Sequence, residues 1–169
     1  MSDEARPAGE VSTTSDASGL EIVRILDAPR TTVFEAWTEP EHFAAWFGEH
    51  GSSVPVDRAS MDVRPGGAWR AVMLVGPEET ELVFSGHYRE VERPARLVFT
   101  VTDVVDGDDA DADVVTVDLE ELGDGRTRMV VTQRGGHMPA EEYERAMQGW
   151  RIFLERQAEH LKTRHDGDS

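Results

Sequence analysis

The chain contains no cysteine, which excludes disulfides, thiolate nucleophiles and cysteine metal ligands. It is also poor in bases: 17 Lys and Arg stand against 34 Asp and Glu, a net charge of −17. A field of that sign repels phosphate backbones, so no nucleic-acid partner is expected. No stretch approaches the roughly 18 consecutive apolar residues of a membrane span, and no membrane partner is expected. Met1 to Gly19 lacks a charged-then-apolar export pattern, which leads to the expectation of a cytoplasmic protein. The acidic excess is uneven. Much of it lies in that N-terminal stretch and in the loop from Asp103 to Asp113, which holds six aspartates and no base.

What is present is amphipathic structure. At 100° per residue, Tyr143, Met147, Trp150, Leu154, Ala158 and Leu161 form one stripe, with Ala146 and Phe153 along its edge. Pro139 suits a first helical turn, and Glu141 and Glu142 complement the dipole there. Such a helix needs a broad apolar surface to lie on. Strand patterns supply one: Leu20 to Leu26, Val56 to Val63, Trp69 to Val75, Glu81 to Val91, Leu97 to Val101, Val115 to Leu119 and Thr127 to Gln133. Pro65-Gly66-Gly67, Gly76-Pro77-Glu78, Arg93-Pro94 and Gly123-Asp124-Gly125 punctuate them. Two short helices follow the first strand, one around Val33 to Trp37 and one from Pro40 to Phe47. The expectation is an α+β domain over residues 19–163: a curling seven-stranded antiparallel sheet, its concave side filled by the C-terminal helix. Residues 1–18 and 164–169 are expected to be disordered tails.

The ordered set Arg24, Ala28-Pro29, Val33-Phe34, Ala36-Trp37-Thr38, Pro40, Trp46, Pro65-Gly66-Gly67, Trp69, Gly86-x-Tyr88, Pro94-x-x-Leu97, Thr127-Arg128 and Gly149-Trp150 resembles the pattern of bacterial START-like proteins. More narrowly, it resembles the branch similar to the C-terminal domain of the activator of the Hsp90 ATPase. The resemblance covers about residues 20–162. It implies a helix-grip fold with a pocket between sheet and C-terminal helix, holding an apolar or aromatic small molecule. One departure touches the pocket mouth: Trp46-Phe47-Gly48 is followed by Glu49, where many members have Pro.

Trp46, Trp69, Met73, Phe84, Tyr88, Phe99, Met129, Met147, Trp150 and Leu154 are the candidate ligand-binding residues. Trp69 and Tyr88 stand out because a buried indole N–H or phenol must find a partner. Gly86 removes a side chain where something approaches closely or the sheet bulges. No cofactor and no metal is expected. The six histidines show no two-His-plus-carboxylate spacing. Asp109, Asp111, Asp113 and Glu120 match EF-hand positions, but Val114 occupies the position that needs Gly. His87 alternates away from Tyr88 and is expected to be solvated. No nucleophile–base motif is visible. The leading reading is a carrier or sequestering protein; a polyketide cyclase or aromatase, and a chaperone-interaction domain, are the alternatives. Oligomeric state is not legible.

Overall fold

Alternation of apolar and polar residues sets most of the sheet. The computed structural model describes residues 9–48, 51–102, 112–135 and 139–167. Within them lie strands β1 (Glu10–Asp16), β2 (Gly19–Leu26), β3 (Ser52–Ser53), β4 (Ala59–Met61), β5 (Ala68–Val75), β6 (Thr80–Glu92), β7 (Arg96–Val101), β8 (Asp113–Gly123) and β9 (Arg126–Arg134). Helices α1 (Arg30–Thr38) and α2 (Pro40–Trp46) follow β2, and α3 (Ala140–Gly167) follows β9. All pairings are antiparallel, in the order β1-β2-β9-β8-β7-β6-β5-β3, with β4 also on β5. The fold is the expected α+β arrangement, a large curved antiparallel sheet with a C-terminal helix.

Val115, Val117 and Leu119 of β8 and Met129 and Val131 of β9 are buried, as their alternation predicts. α3 crosses this face. Its Trp150 reaches Gln133 of β9 and its Tyr143 reaches Asp113 of β8. Thr127 at the start of β9 donates to the Ala28 carbonyl, tying the sheet to the approach to α1.

Four expectations need correction. The sheet has nine strands among the described residues, not seven. Residues 10–16, expected within a disordered tail, form β1, joined to β2 by a two-residue turn in which Asp16 accepts from both Ser18 N and Ser18 Oγ. The segment has no apolar alternation. It is held by its ladder to β2 and by Arg151 of α3, whose guanidinium grips the buried Glu10 carboxylate at 2.7 and 3.1 Å. Val56 to Val63 is mostly not strand: Val56–Arg58 is a 3-10 turn after Pro55, and only Ala59–Met61 pairs. Finally, α3 continues to Gly167, into the expected C-terminal tail. The aspartate loop lies outside the described residues apart from Ala112 and Asp113, as do Glu49, His50 and His137.

Gly86 is explained by the sheet itself. A Cβ there would come within 1.9 Å of the Thr100 carbonyl oxygen of β7. The close approach anticipated at this glycine is that of the neighbouring strand, and the register shift between β6 and β7 follows it, between Tyr88 and Glu90.

Candidate functional site

α1 and α2 close one side of the layer beneath α3, and local chemistry fixes how these two helices meet. The carbonyl of Ala36 in the last turn of α1 would ordinarily accept from the backbone N–H four residues on. That residue is Pro40, which has none. Trp46 supplies the donor instead: its Nε1 lies 2.9 Å from Ala36 O. The indole is thereby fixed at the junction, fully buried. The seam between α2 and α3 is stitched by His42 Nδ1 to His160 Nε2 at 3.1 Å and by Arg156 Nη1 donating to Gly48 O at 2.8 Å.

Inside the layer the rings are contiguous. Trp37 sits edge-on to Trp46 at 4.8 Å and tilted against Trp150 at 5.8 Å. Phe43 stacks on Phe47 at 4.5 Å. Phe47 meets Phe84 at 5.4 Å and Phe153 at 5.1 Å, and Phe99 meets Trp69 at 5.6 Å and Tyr88 at 6.2 Å. Of the ten candidate ligand residues, Trp46, Trp69, Phe84, Phe99, Tyr88 and Trp150 belong to this cluster. Met73, Met129, Met147 and Leu154 belong to the same apolar core; Phe84 is half-buried and the other nine are buried. Sequence reasoning left Trp37, Phe43 and Phe47 out of the ligand set, although their spacing on two short helices placed them on the buried side.

The rings leave little room. A partly open cavity of about 10 Å³ lies between Trp37, Phe43, Met61, Trp69, Tyr88 and Phe99, enough for about one water. Trp37, Phe47 and Phe153 pack against the Trp150 indole. The larger concavities are open grooves, including one of about 580 Å³ along β2 and the last turns of α3.

Polar groups in the layer are mostly spoken for. Trp69 Nε1 donates to Thr100 O at 2.9 Å, so this indole's handle is used within the sheet. A chain of hydrogen bonds joins α3 to the sheet: Trp150 Nε1 donates to Gln133 Oε1 (2.8 Å), Gln133 Nε2 to Asp113 Oδ2 (2.9 Å), and Tyr143 Oη to Asp113 Oδ1 (3.2 Å). From sequence, Gln133 falls at the end of a strand, and Asp113 falls in an acidic loop and matches an EF-hand position. His87 and Arg70 are exposed, as their alternation predicts. Among the described residues no group of three or more His, Asp or Glu is placed to hold a metal ion.

Burial pushes the Tyr88 phenol well above its ordinary value, the neighbouring Asp62 carboxylate adds to the rise, and Arg93 opposes it. Tyr88 therefore stays a neutral hydrogen-bonding group. Because the folded value is raised, its contribution to stability is complete below about pH 10, the unfolded phenol's range, and is lost as pH climbs towards the folded value. The urea midpoint of the wild type is expected to fall above about pH 10 more steeply than that of Tyr88→Phe, by up to about 1.4 kcal/mol per pH unit. Parallel curves would refute this.

Residues 27–162 match the family model described as Activator of Hsp90 ATPase homolog 1-like protein. Solved structures of the same shape include a solution structure of a protein from Arthrobacter aurescens (22% identity, TM-score 0.75, covering 90% of this chain and 92% of that one). They also include protein NE0264 from Nitrosomonas europaea (24%, TM-score 0.74, 88% and 96%). A third is the AHSA1 protein from Silicibacter pomeroyi (24%, TM-score 0.73, 88% and 100%). No curated protein matches. Among the described residues no helix is long and apolar enough to cross a membrane. At such identities the structural likeness speaks for the fold, and the family model speaks for descent: the chain belongs to the family of Activator of Hsp90 ATPase homolog 1-like proteins.

Proposed function

We propose that the protein binds a flat, largely apolar small molecule in the aromatic layer between the sheet and α3, as a carrier or sequestering protein. The observation that carries this reading is the convergence of the rings of α1, α2, β5, β6 and β7 around one small cavity at Trp37, Phe43, Trp69, Tyr88 and Phe99. A guest of ordinary size needs roughly 300 Å³ or more, so entry requires α2 to yield along its seam with α3, where Phe47 meets Phe153 and Arg156 meets Gly48. Burying about 200 Å² of apolar guest surface supplies about 5 kcal/mol at 25 cal/mol per Å², against which the displacement of packed rings must be set. Trp69, Tyr88 and Phe99 would form the floor of the opened site and Met73, Phe84 and Trp150 its walls, with Trp46, Met129, Met147 and Leu154 behind them.

The test is a panel of flat hydrocarbons (naphthalene, fluorene, anthracene) titrated against intrinsic tryptophan fluorescence and melting temperature. A guest at about a hundred times its Kd is expected to stabilise by about 2.7 kcal/mol. That is roughly 5–10 °C in Tm for a chain of this size. No saturable fluorescence change and no Tm shift with any member would overturn the reading.

A further inference from the structure

Two side chains in the apolar layer carry polar atoms with nothing to bond to. Gln157 of α3 is fully buried, and neither its Nε2 nor its Oε1 has a hydrogen-bond partner. Trp37 of α1 is buried, and its Nε1 has none either. Every other tryptophan in the chain has its N–H satisfied: Trp46 by Ala36, Trp69 by Thr100, Trp150 by Gln133. Buried polar groups are nearly always paired, because leaving one bare costs the full loss of its hydration. A glutamine deprived of both its donor and its acceptor is therefore a conspicuous exception within an otherwise apolar stripe.

The placement of the two residues is consistent with one purpose. Gln157 lies three residues after Leu154 and four before Leu161, so it shares their buried side of α3. It leans towards the flank that faces α2, where Phe153 meets Phe47 and His160 meets His42. Trp37 packs on Trp150 of the same helix and lines the small cavity. An apolar residue at either position would fill the space without that cost, and leucine is nearly the volume of glutamine.

We propose that Trp37 and Gln157 are the polar recognition points for the guest, which is an aromatic compound bearing at least one ring carbonyl or hydroxyl rather than a bare hydrocarbon. Trp37 Nε1 donates to an oxygen of the guest; the Gln157 amide donates to or accepts from a second polar position. A guest with the matching group supplies the missing hydrogen bonds, whereas an analogue lacking it leaves those groups as bare as in the free protein and forfeits that gain. This inference rests on the ligand-binding reading above and deepens it.

The test uses fluorenone and fluorene, which match in size and flatness and differ by one carbonyl. With the full-length protein, fluorenone is expected to bind at least about tenfold more tightly than fluorene, a discrimination of about 1.4 kcal/mol. Gln157→Leu and Trp37→Phe, measured separately, are each expected to reduce that ratio by weakening fluorenone more than fluorene. Gln157→Leu is also expected to raise the Tm of the unliganded protein by a few degrees, on the order of 2–4 °C. Equal affinities for the two probes would overturn this inference and leave apolar binding standing. Binding of neither would overturn both. A lowered Tm in Gln157→Leu would show that ordered water already satisfies the amide, and would also overturn the proposal.

Discussion

Trp46→Ala is expected to destabilise the protein by about 3–5 kcal/mol, the range for removing a fully buried aromatic side chain. In this chain it corresponds to a fall in Tm of roughly 10 °C. Three losses combine. The cavity opens between Trp37, Phe43 and Phe47, all of which touch the indole. The Ala36 carbonyl loses the donor that stands in for the missing N–H of Pro40. With it goes the hydrogen bond that sets α2 against α1. Trp46→Phe separates these effects: it keeps most of the packing and removes the hydrogen bond, at an expected cost of about 1–2 kcal/mol. Urea unfolding followed by circular dichroism measures both. Equal losses for the two variants would mean that packing at this junction matters little and the hydrogen bond accounts for the effect.

Asp113→Ala is expected to cost about 2–3 kcal/mol, because the buried Gln133 Nε2 loses its acceptor and Tyr143 Oη loses the hydrogen bond it makes to this carboxylate. The disturbance passes to α3, since the other end of the Gln133 amide holds Trp150. Asp113→Asn keeps one carbonyl oxygen in place but presents an NH2 to the second donor, so an intermediate loss is expected. The same unfolding curves decide the matter, and tryptophan emission reports whether the Trp150 environment moves. An unchanged midpoint in Asp113→Ala would show that the two donors find other partners.

Where a side chain's role depends on its own strand or helix, it was legible beforehand. Val115, Val117 and Leu119 alternate, and they are buried; His87 alternates with Tyr88, and it is exposed. The apolar stripe on α3 faces inward, and Gln157, a polar residue, is buried within it. The helical spacing from Leu154 and Leu161 was the available signal. β1 left almost none. Glu10-Val11-Ser12-Thr13-Thr14-Ser15-Asp16 has no apolar face, and its order comes from the ladder to β2 and from Arg151, more than a hundred residues away. Arg24 of β2 is buried, with its Nη1 3.1 Å from Glu155 of α3, a placement that depends on a helix far along the chain. Leu82, at an alternate position to Phe84 and Tyr88, is exposed near the start of β6.

By itself, the order of residues determined the α+β class, the antiparallel run of strands, the long amphipathic helix and the family. Each of these depends on periodicity or on short patterns, which local backbone geometry converts directly into structure. Only the tertiary structure decided how full the layer beneath α3 would be, and which polar groups in it would go without partners. Those properties depend on side-chain volumes and hydrogen-bond geometry summed across elements far apart in the chain, such as Trp37 against Trp150 or Tyr143 against Asp113. Close packing is a property of neighbours in space, and no spacing along the chain encodes it.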